Sequence, residues 1–479
     1  MTTGDRVHSE TAPLLRQQPE DHGSPDKTET RSWSYELRLV AGYSIPLIAT
    51  YLLQYSFSVI TTFVAGHLSA DDLAAASIGL TTINIIGFAV MEGMATALDT
   101  LCAQAYGSGD ITKVGLYVQR MVLLMAVTCV PLGVLCFFSP YILVHLVRQH
   151  HLAIKAGSFL RMSLIGLPGY GAFEAGKRFL QAQGDFRTGM AVLIVCAPIN
   201  AFLSWLLTFK LGMGLDGASL AVALSNDLRP VLLLLYTRYG RKFTHKCWGG
   251  FSRQALKGWG PMFRLSLAGI AVTLAEWAAF EIVTFSTSYL STQHLAVQTI
   301  LTTTAVLTWH IPFSVSVAVS TRIGHLIGAG DVKSARRAAI LYAVLFVVIG
   351  LADGLVLMIL RHHIGAFFSV DESIRDMVAH TVIVVASYQL IDSIMCGCNG
   401  MLRGLGRQYV AAWAALCANY LIGVPLAIWL ELGAWHWGLH GVWIGLGLGM
   451  CASGVIETAY IKIIDWNDCV ASVRLRGDF

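Results

Sequence analysis

Residues 267–290 read LAGIAVTLAEWAAFEIVTFSTSYL. The run is long and apolar enough to cross a hydrocarbon core about 30 Å thick. Yet it holds two carboxylates, Glu276 and Glu281, with Trp277 and Phe280 between them. Runs of the same apolar kind recur along the whole chain. Of its 479 residues, 55% are hydrophobic and 13% charged, and the mean hydropathy is +0.62. A soluble protein would carry about 25% charged residues. The deficit of charge marks an all-α polytopic membrane protein. The basic residues are scattered through the loops, with no block of like charge, so no nucleic-acid partner is expected.

Apolar runs between polar or glycine-rich breaks give twelve transmembrane helices, near 37–65, 73–98, 116–138, 158–180, 190–211, 215–239, 261–287, 295–319, 338–361, 378–402, 409–432 and 439–464. Residues 1–34 are polar, lack the apolar core of a signal peptide, and read as a disordered cytosolic tail. With that tail inside, the inner loops hold about eighteen Lys and Arg, and the outer loops hold Arg148, Lys155, Lys210, Arg361 and Arg375. Both termini are therefore expected in the cytosol. The chain divides into an N-lobe at 35–240, a basic cytosolic linker at 241–260, a C-lobe at 261–465 and a C-terminal tail at 466–479.

The two lobes resemble each other at an offset near 222. LSADDLAAASIG (68–79) sits against LSTQHLAVQTIL (290–301), GSGD (107–110) against GAGD (328–331), QAQG (181–184) against RGLG (403–406), and GLDG (214–217) against GLHG (438–441). Six spans per unit return the chain to the same side, so the halves share one orientation about an axis along the membrane normal. Two pseudo-symmetric six-helix lobes around a central cleft follow, which is the architecture of a secondary transporter.

No energy-coupling or enzymatic motif competes with that reading. Gly171–Arg178 has phosphate-loop spacing but carries Arg178 where Ser or Thr would hold magnesium, and it follows no strand. Neither HExxH nor GxSxG occurs. Of the ten cysteines, Cys102, Cys129, Cys136, Cys196, Cys396, Cys398, Cys417 and Cys451 fall within spans and match no zinc spacing, so they read as packing residues. No cofactor is expected; an ion gradient, of protons or of sodium, supplies the energy.

The informative residues are acids in apolar surroundings, each costing about 2.5–3.5 kcal/mol to insert at a bilayer centre. They are Glu276 and Glu281 on the seventh span, Asp353 on the ninth and Asp392 on the tenth, with Glu92, Asp99, Glu174, Asp227 and Glu457 elsewhere. Five helical residues turn through about 140°, so one of Glu276 and Glu281 lines the cleft while the other lies inside the lobe. Such a carboxylate attracts an organic cation when ionised and releases it when protonated, and Trp277 and Phe280 offer rings for cation–π contact. Glu92 and Asp99, near the inner end of the second span, are read as cap or loop contacts. His310, in mid-span, is expected to bond a neighbouring backbone.

Four segments, GHLSADDLAAASIG (66–79), ALDTLCAQAYGSGD (97–110), STRIGHLIGAGD (320–331) and NGMLRGLGRQ (399–408), resemble the signatures of the multidrug and toxic compound extrusion transporters, eukaryotic type. The likeness runs from residue 37 to about 465. It implies twelve helices in two lobes and gradient-driven export of amphipathic, usually cationic, compounds. It further implies that Glu276 and Glu281 belong to a second-lobe cation site, that Asp392 stands where animal members carry Glu, and that Asn84 occupies a polar position on the second span. Two departures stand out. Thr303 takes the place of a further Glu on the eighth span, and the first span holds no acid beyond Glu36 at its edge.

The expected function is thus a secondary active antiporter exporting organic cations and xenobiotics in exchange for protons by alternating access, acting as a monomer in the lipid bilayer. The coupling residues are Glu276, Glu281 and Asp392. The substrate-cavity candidates are Asn84, Trp277, Phe280, Thr303, Trp309, His310 and Tyr388. The alternatives are a sodium-coupled exporter and a lipid or oligosaccharide-lipid flippase of the same superfold, which would favour a basic cleft. Glu10, Leu14 and Leu15 fit an acidic dileucine sorting signal, pointing to a vacuolar or lysosomal-type membrane, with the plasma membrane as the other destination.

Overall fold

A computed structural model describes residues 32–146, 149–240, 246–287, 289–369, 371–433 and 436–477. The dileucine residues Glu10, Leu14 and Leu15 lie outside them. The helices of the first lobe are α1 (Trp33–Gly66), α2 (Ala70–Ser108), α3 (Ile111–Phe137), the short α4 (Ser139–Leu146), α5 (His150–Ser163), α6 (Leu167–Ala182), α7 (Arg187–Lys210) and α8 (Gly214–Gly240). Those of the second are α9 (Gly260–Thr287), α10 (Thr292–Gly328), α11 (Val332–Phe368), α12 (Glu372–Leu405), α13 (Gln408–Leu432), α14 (Leu439–Ile463) and α15 (Trp466–Gly477).

Eleven of these are long and apolar enough to span a membrane. The twelfth crossing, fourth in chain order, is split by a 3₁₀ turn at Leu164–Gly166 into α5 and α6, and α6 carries Glu174, Lys177 and Arg178. Its apolar content is diluted because it faces protein rather than lipid: all three charged side chains are buried. Several helices outrun the apolar cores read from sequence. α2 continues to Ser108 and α10 to Gly328, because their last turns are held by the opposite lobe instead of ending at the membrane edge. The segment from 466, expected as a tail, forms α15, which seats Trp466 and Cys469 in the core beside α10 and α11.

Local chemistry explains why the two lobes repeat where they do. Ser69 and Ser291, at matched positions, each cap a helix start: their hydroxyls accept from the backbone N–H of Asp72 at 3.0 Å and of His294 at 3.2 Å. Gly109 and Gly330 have φ of 89° and 77°. These left-handed turns favour glycine, which preserves the two Gly–x–Gly–Asp turn sequences.

The lobes meet along α1, α2 and α6 on one side and α9, α10, α12 and α13 on the other. The polar bridges between them gather at the end where Trp33 and α15 lie, here termed the terminal face. Glu36 binds Arg322 and Tyr342; Thr100 Oγ1 donates to the Arg403 carbonyl at 2.6 Å; Gln104 Nε2 donates to the Gly404 carbonyl at 2.9 Å; and His325 Nε2 lies 2.7 Å from the Ala182 carbonyl. Glycine permits the close approach. A Cβ on Gly93 would stand 2.7 Å from the Cα of Ile270, and one on Gly324 would stand 2.7 Å from the Cβ of Ala103. At mid-length Tyr51 and Tyr55 still touch Phe313 and His310. Farther out, the described residues show no hydrogen bond, ion pair or ring contact joining the lobes. Among the described residues, the polar contacts between the lobes are thus concentrated at the terminal face, which is closed.

Candidate functional site

Just beyond the seal lies a cavity walled by both lobes. Glu92 and Thr96 reach it from α2, Glu276 and Trp277 from α9, and Trp309, Phe313 and Ser316 from α10. Asp392, Asn399 and Arg403 come from α12, and Gln408 from α13. α12 can run through the protein interior because small residues let its neighbours close on it: a Cβ on Gly397 would meet the Phe346 ring, and one on Gly400 the Ser316 backbone. Polar side chains one helical turn apart, Asp392, Cys396, Asn399 and Arg403, therefore form a stripe along a buried helix.

Asn399 Nδ2 lies 3.4 Å from Glu276 Oε1 and donates to it. Arg403 is fixed from several sides. It donates from Nη2 to Ser316 Oγ at 2.5 Å, lies with its Nη1 4.0 Å from Asp99, and stands 5.6 Å from the Phe313 ring centre. Phe313 is stacked on Trp309 at 4.3 Å. Asp392 is 3% exposed and accepts no hydrogen bond from the described residues. The wall thus carries three carboxylates, one guanidinium and three aromatic rings.

Of the residues singled out in the sequence, Glu276, Trp277, Trp309 and Asp392 meet in this cavity. The others stand elsewhere. Glu281 is exposed on α9, about 40° around the helix from Trp277 and one turn farther from the terminal face. Phe280 and Tyr388 are not cavity residues; they pack with Trp443 inside the second lobe, with ring centres 6.0 Å (Phe280) and 5.2 Å (Tyr388) from the indole. His310 lies at the lobe seam, with Nδ1 2.6 Å from the Val306 carbonyl and its ring 5.5 Å from Tyr55. Thr303 turns back to its own helix, donating to the Thr299 carbonyl at 2.8 Å. Asn84 opens a π-helical turn, Asn84–Phe88, and is not among the lining residues.

Sequence reading missed Arg403, Asn399 and Gln408, which lay in a segment read as a signature leading into an inner loop. It also misplaced Glu92, which faces the cavity, and Asp99, which is 4% exposed and lies 3.3 Å from Arg178 Nε rather than capping a loop. The phosphate-loop lookalike proves to be the centre of a buried ionic cluster. Glu174 accepts from Lys177 Nζ at 2.8 Å, from Gln54 Nε2 at 2.9 Å and from Arg178. Lys177 Nζ also sits 4.5 Å from the centre of the Tyr51 ring. The signal available was the spacing: Glu174, Lys177 and Arg178 at i, i+3 and i+4 share one helix face and can neutralise one another.

Comparison with known proteins matches this architecture. The MatE family model fits twice, over residues 46–206 and 269–429, one match in each lobe. Uncharacterized transporter C4B3.13 of Schizosaccharomyces pombe is 36% identical over 94% of this chain and 83% of its own. Multidrug and toxin extrusion protein 1 of Xenopus tropicalis is 30% identical over 93% of this chain and 77% of its own. The crystal structure of the eukaryotic MATE transporter AtDTX14 superposes with a TM-score of 0.88 at 28% identity, covering 93% of this chain and 99% of that one.

Proposed function

Because the chain belongs to the MatE family of transporters, we propose that it exports organic cations from the cytosol in exchange for protons, with Glu276 and Asp392 holding either cargo. The carrying observation is the cavity wall: three carboxylates against one guanidinium, beside Trp277, Trp309 and Phe313. An amphipathic cation finds both charge and ring faces there. Protons arriving at the acids remove the charge and release it. A flippase would favour a basic cleft, and the single base here is already held by Ser316 and Asp99.

Positive-inside bias assigns the terminal face to the cytosol, so the structure corresponds to the state that discharges outward. Rocking of the lobes about the Glu276–Asp392 level then alternates access. Glu281, near the widening mouth, serves as the acid a leaving cation meets after Trp277. The dileucine at Glu10, Leu14 and Leu15 directs the protein to a vacuolar-type membrane in this reading.

Purified protein in liposomes with an imposed pH gradient, followed with a fluorescent organic cation, tests the proposal. Glu276→Gln and Asp392→Asn are expected to cut gradient-driven uptake by at least about tenfold. Glu281→Gln should instead raise KM by about threefold to tenfold with kcat within about twofold, as removal of uniform binding does. Full proton-driven uptake by Glu276→Gln would refute the assignment, and uptake driven by sodium but not by protons would replace the coupling ion.

A further inference from the structure

The charges around the cavity do not cancel, and the remainder has a definite place. Behind the wall, Lys177 and Arg178 are matched by Glu174 and Asp99. On the wall itself, Arg403 faces Glu92, Glu276 and Asp392, leaving two formal negative charges. Glu276 and Asp392 both belong to the second lobe. Glu92 is the single acid that the first lobe brings to the lining.

Its placement depends on an irregularity in α2. The π-helical turn at Asn84–Phe88 adds one residue to a turn and rotates everything after it by about 100° relative to a regular helix. Glu92 follows one turn later. Gly93 beside it lets α9 close to within what a Cβ would fill, 2.7 Å from Ile270 Cα. α2 and α9 are thus pressed together where Glu92 and Glu276 enter the cavity. Glu92 is half-buried and takes part in no hydrogen bond with the described residues, while the nearby bases Lys177 and Arg178 are engaged by Glu174 and Asp99.

We propose that Glu92 is a specificity-determining residue that binds the second positive charge of dicationic substrates whose first charge sits at Glu276 and Asp392. The inference rests on this cavity being the substrate site of the proposed exporter. A monocation leaves one negative charge on the wall to be met by a proton. A flat aromatic dication meets both, with its rings against Trp277 and Trp309.

Binding to the full-length protein in detergent, read by quenching of tryptophan fluorescence, tests the assignment without any gradient. The probes are methyl viologen, a dication, and tetraphenylphosphonium, a monocation. Glu92→Gln is expected to weaken methyl viologen by about tenfold more than it weakens tetraphenylphosphonium. Glu92→Asp should recover most of the loss. Unchanged methyl viologen binding, or equal weakening of both probes, would overturn the proposal. Failure of the export reading would show separately, as wild-type protein that binds both probes with this selectivity but moves neither under a gradient.

Discussion

Arg322→Ala is expected to open the terminal face. Arg322 donates from Nε to Glu36 Oε2 at 2.8 Å, its second nitrogen binds the other carboxylate oxygen, and the Tyr342 hydroxyl donates to the same carboxylate at 3.0 Å. Glu36 opens α1, Arg322 lies on α10 and Tyr342 on α11, so the group staples the first lobe to the second. Both charges are buried, with Glu36 6% and Arg322 7% exposed. Removing Arg322 takes the bidentate guanidinium partner from a carboxylate that stays buried, at a cost of about 3–5 kcal/mol. That cost falls only on the state in which the lobes are docked here. The equilibrium should therefore move by about a hundredfold or more toward the state open at this end. Spin labels at Asp110 and Lys333, in a background without the exposed Cys417 and Cys451, report it as a longer, broader distance distribution. Adding Glu36→Leu should bring part of the short distance back, because the buried carboxylate that lost its guanidinium is gone. An unchanged distribution in Arg322→Ala would show that the staple does not set the equilibrium.

Glu174→Ala is expected to destabilise the whole first lobe. Glu174 is the acceptor for Lys177 and Arg178, and all three side chains are at most 1% exposed. Losing it strands two cations in the interior, with only Asp99 left beside Arg178. A loss of about 3–5 kcal/mol follows, seen as a lower thermal midpoint in detergent by exposure of the buried cysteine thiols. Glu174→Gln should cost less, since its amide oxygen can still accept from Lys177 or Arg178. Asp353→Asn provides the contrast. Asp353 is buried on α11 with Oδ2 unpaired, so neutralising it orphans nothing and should leave the midpoint nearly unchanged. Equal shifts in Glu174→Ala and Asp353→Asn would refute the cluster's role.

The fold was legible because its signals are local. Apolar length marks the spans, a Ser cap and a left-handed Gly mark their ends, and both recur in each half. The site was legible only where local chemistry was anomalous. Glu276 stood out because no base shares its helix beyond Arg264, and it does line the cavity. Phe280 and Tyr388 looked equally suitable, but ring packing against Trp443 claims them, which depends on a contact between helices far apart in sequence. Arg403 was hidden for the converse reason. It is one base near a loop in the chain, and only the meeting of α12 with α2 and α10 turns it inward. Glu92 needed the π-turn, whose rotation no 3.6-residue periodicity reveals.

The glycine seam at the terminal face has an electrical consequence. A Cβ on Gly107 would overlap the His325 carbonyl, and one on Gly328 the Gln104 carbonyl, so backbone lies against backbone with no room for a file of water. In the proposed outward-discharging state the cavity lies beyond that seam, so most of the membrane voltage would fall over the short sealed layer. Glu276 and Asp392 then sit close to the potential of the side they face. In the proposed alternating cycle, the same carboxylates pass to the other potential without travelling far. Each net charge they carry through the switch is worth about 2.3 kcal/mol per 100 mV. In the proposed cycle the thin seal would make transport voltage-sensing, with the membrane field itself moved past the charge.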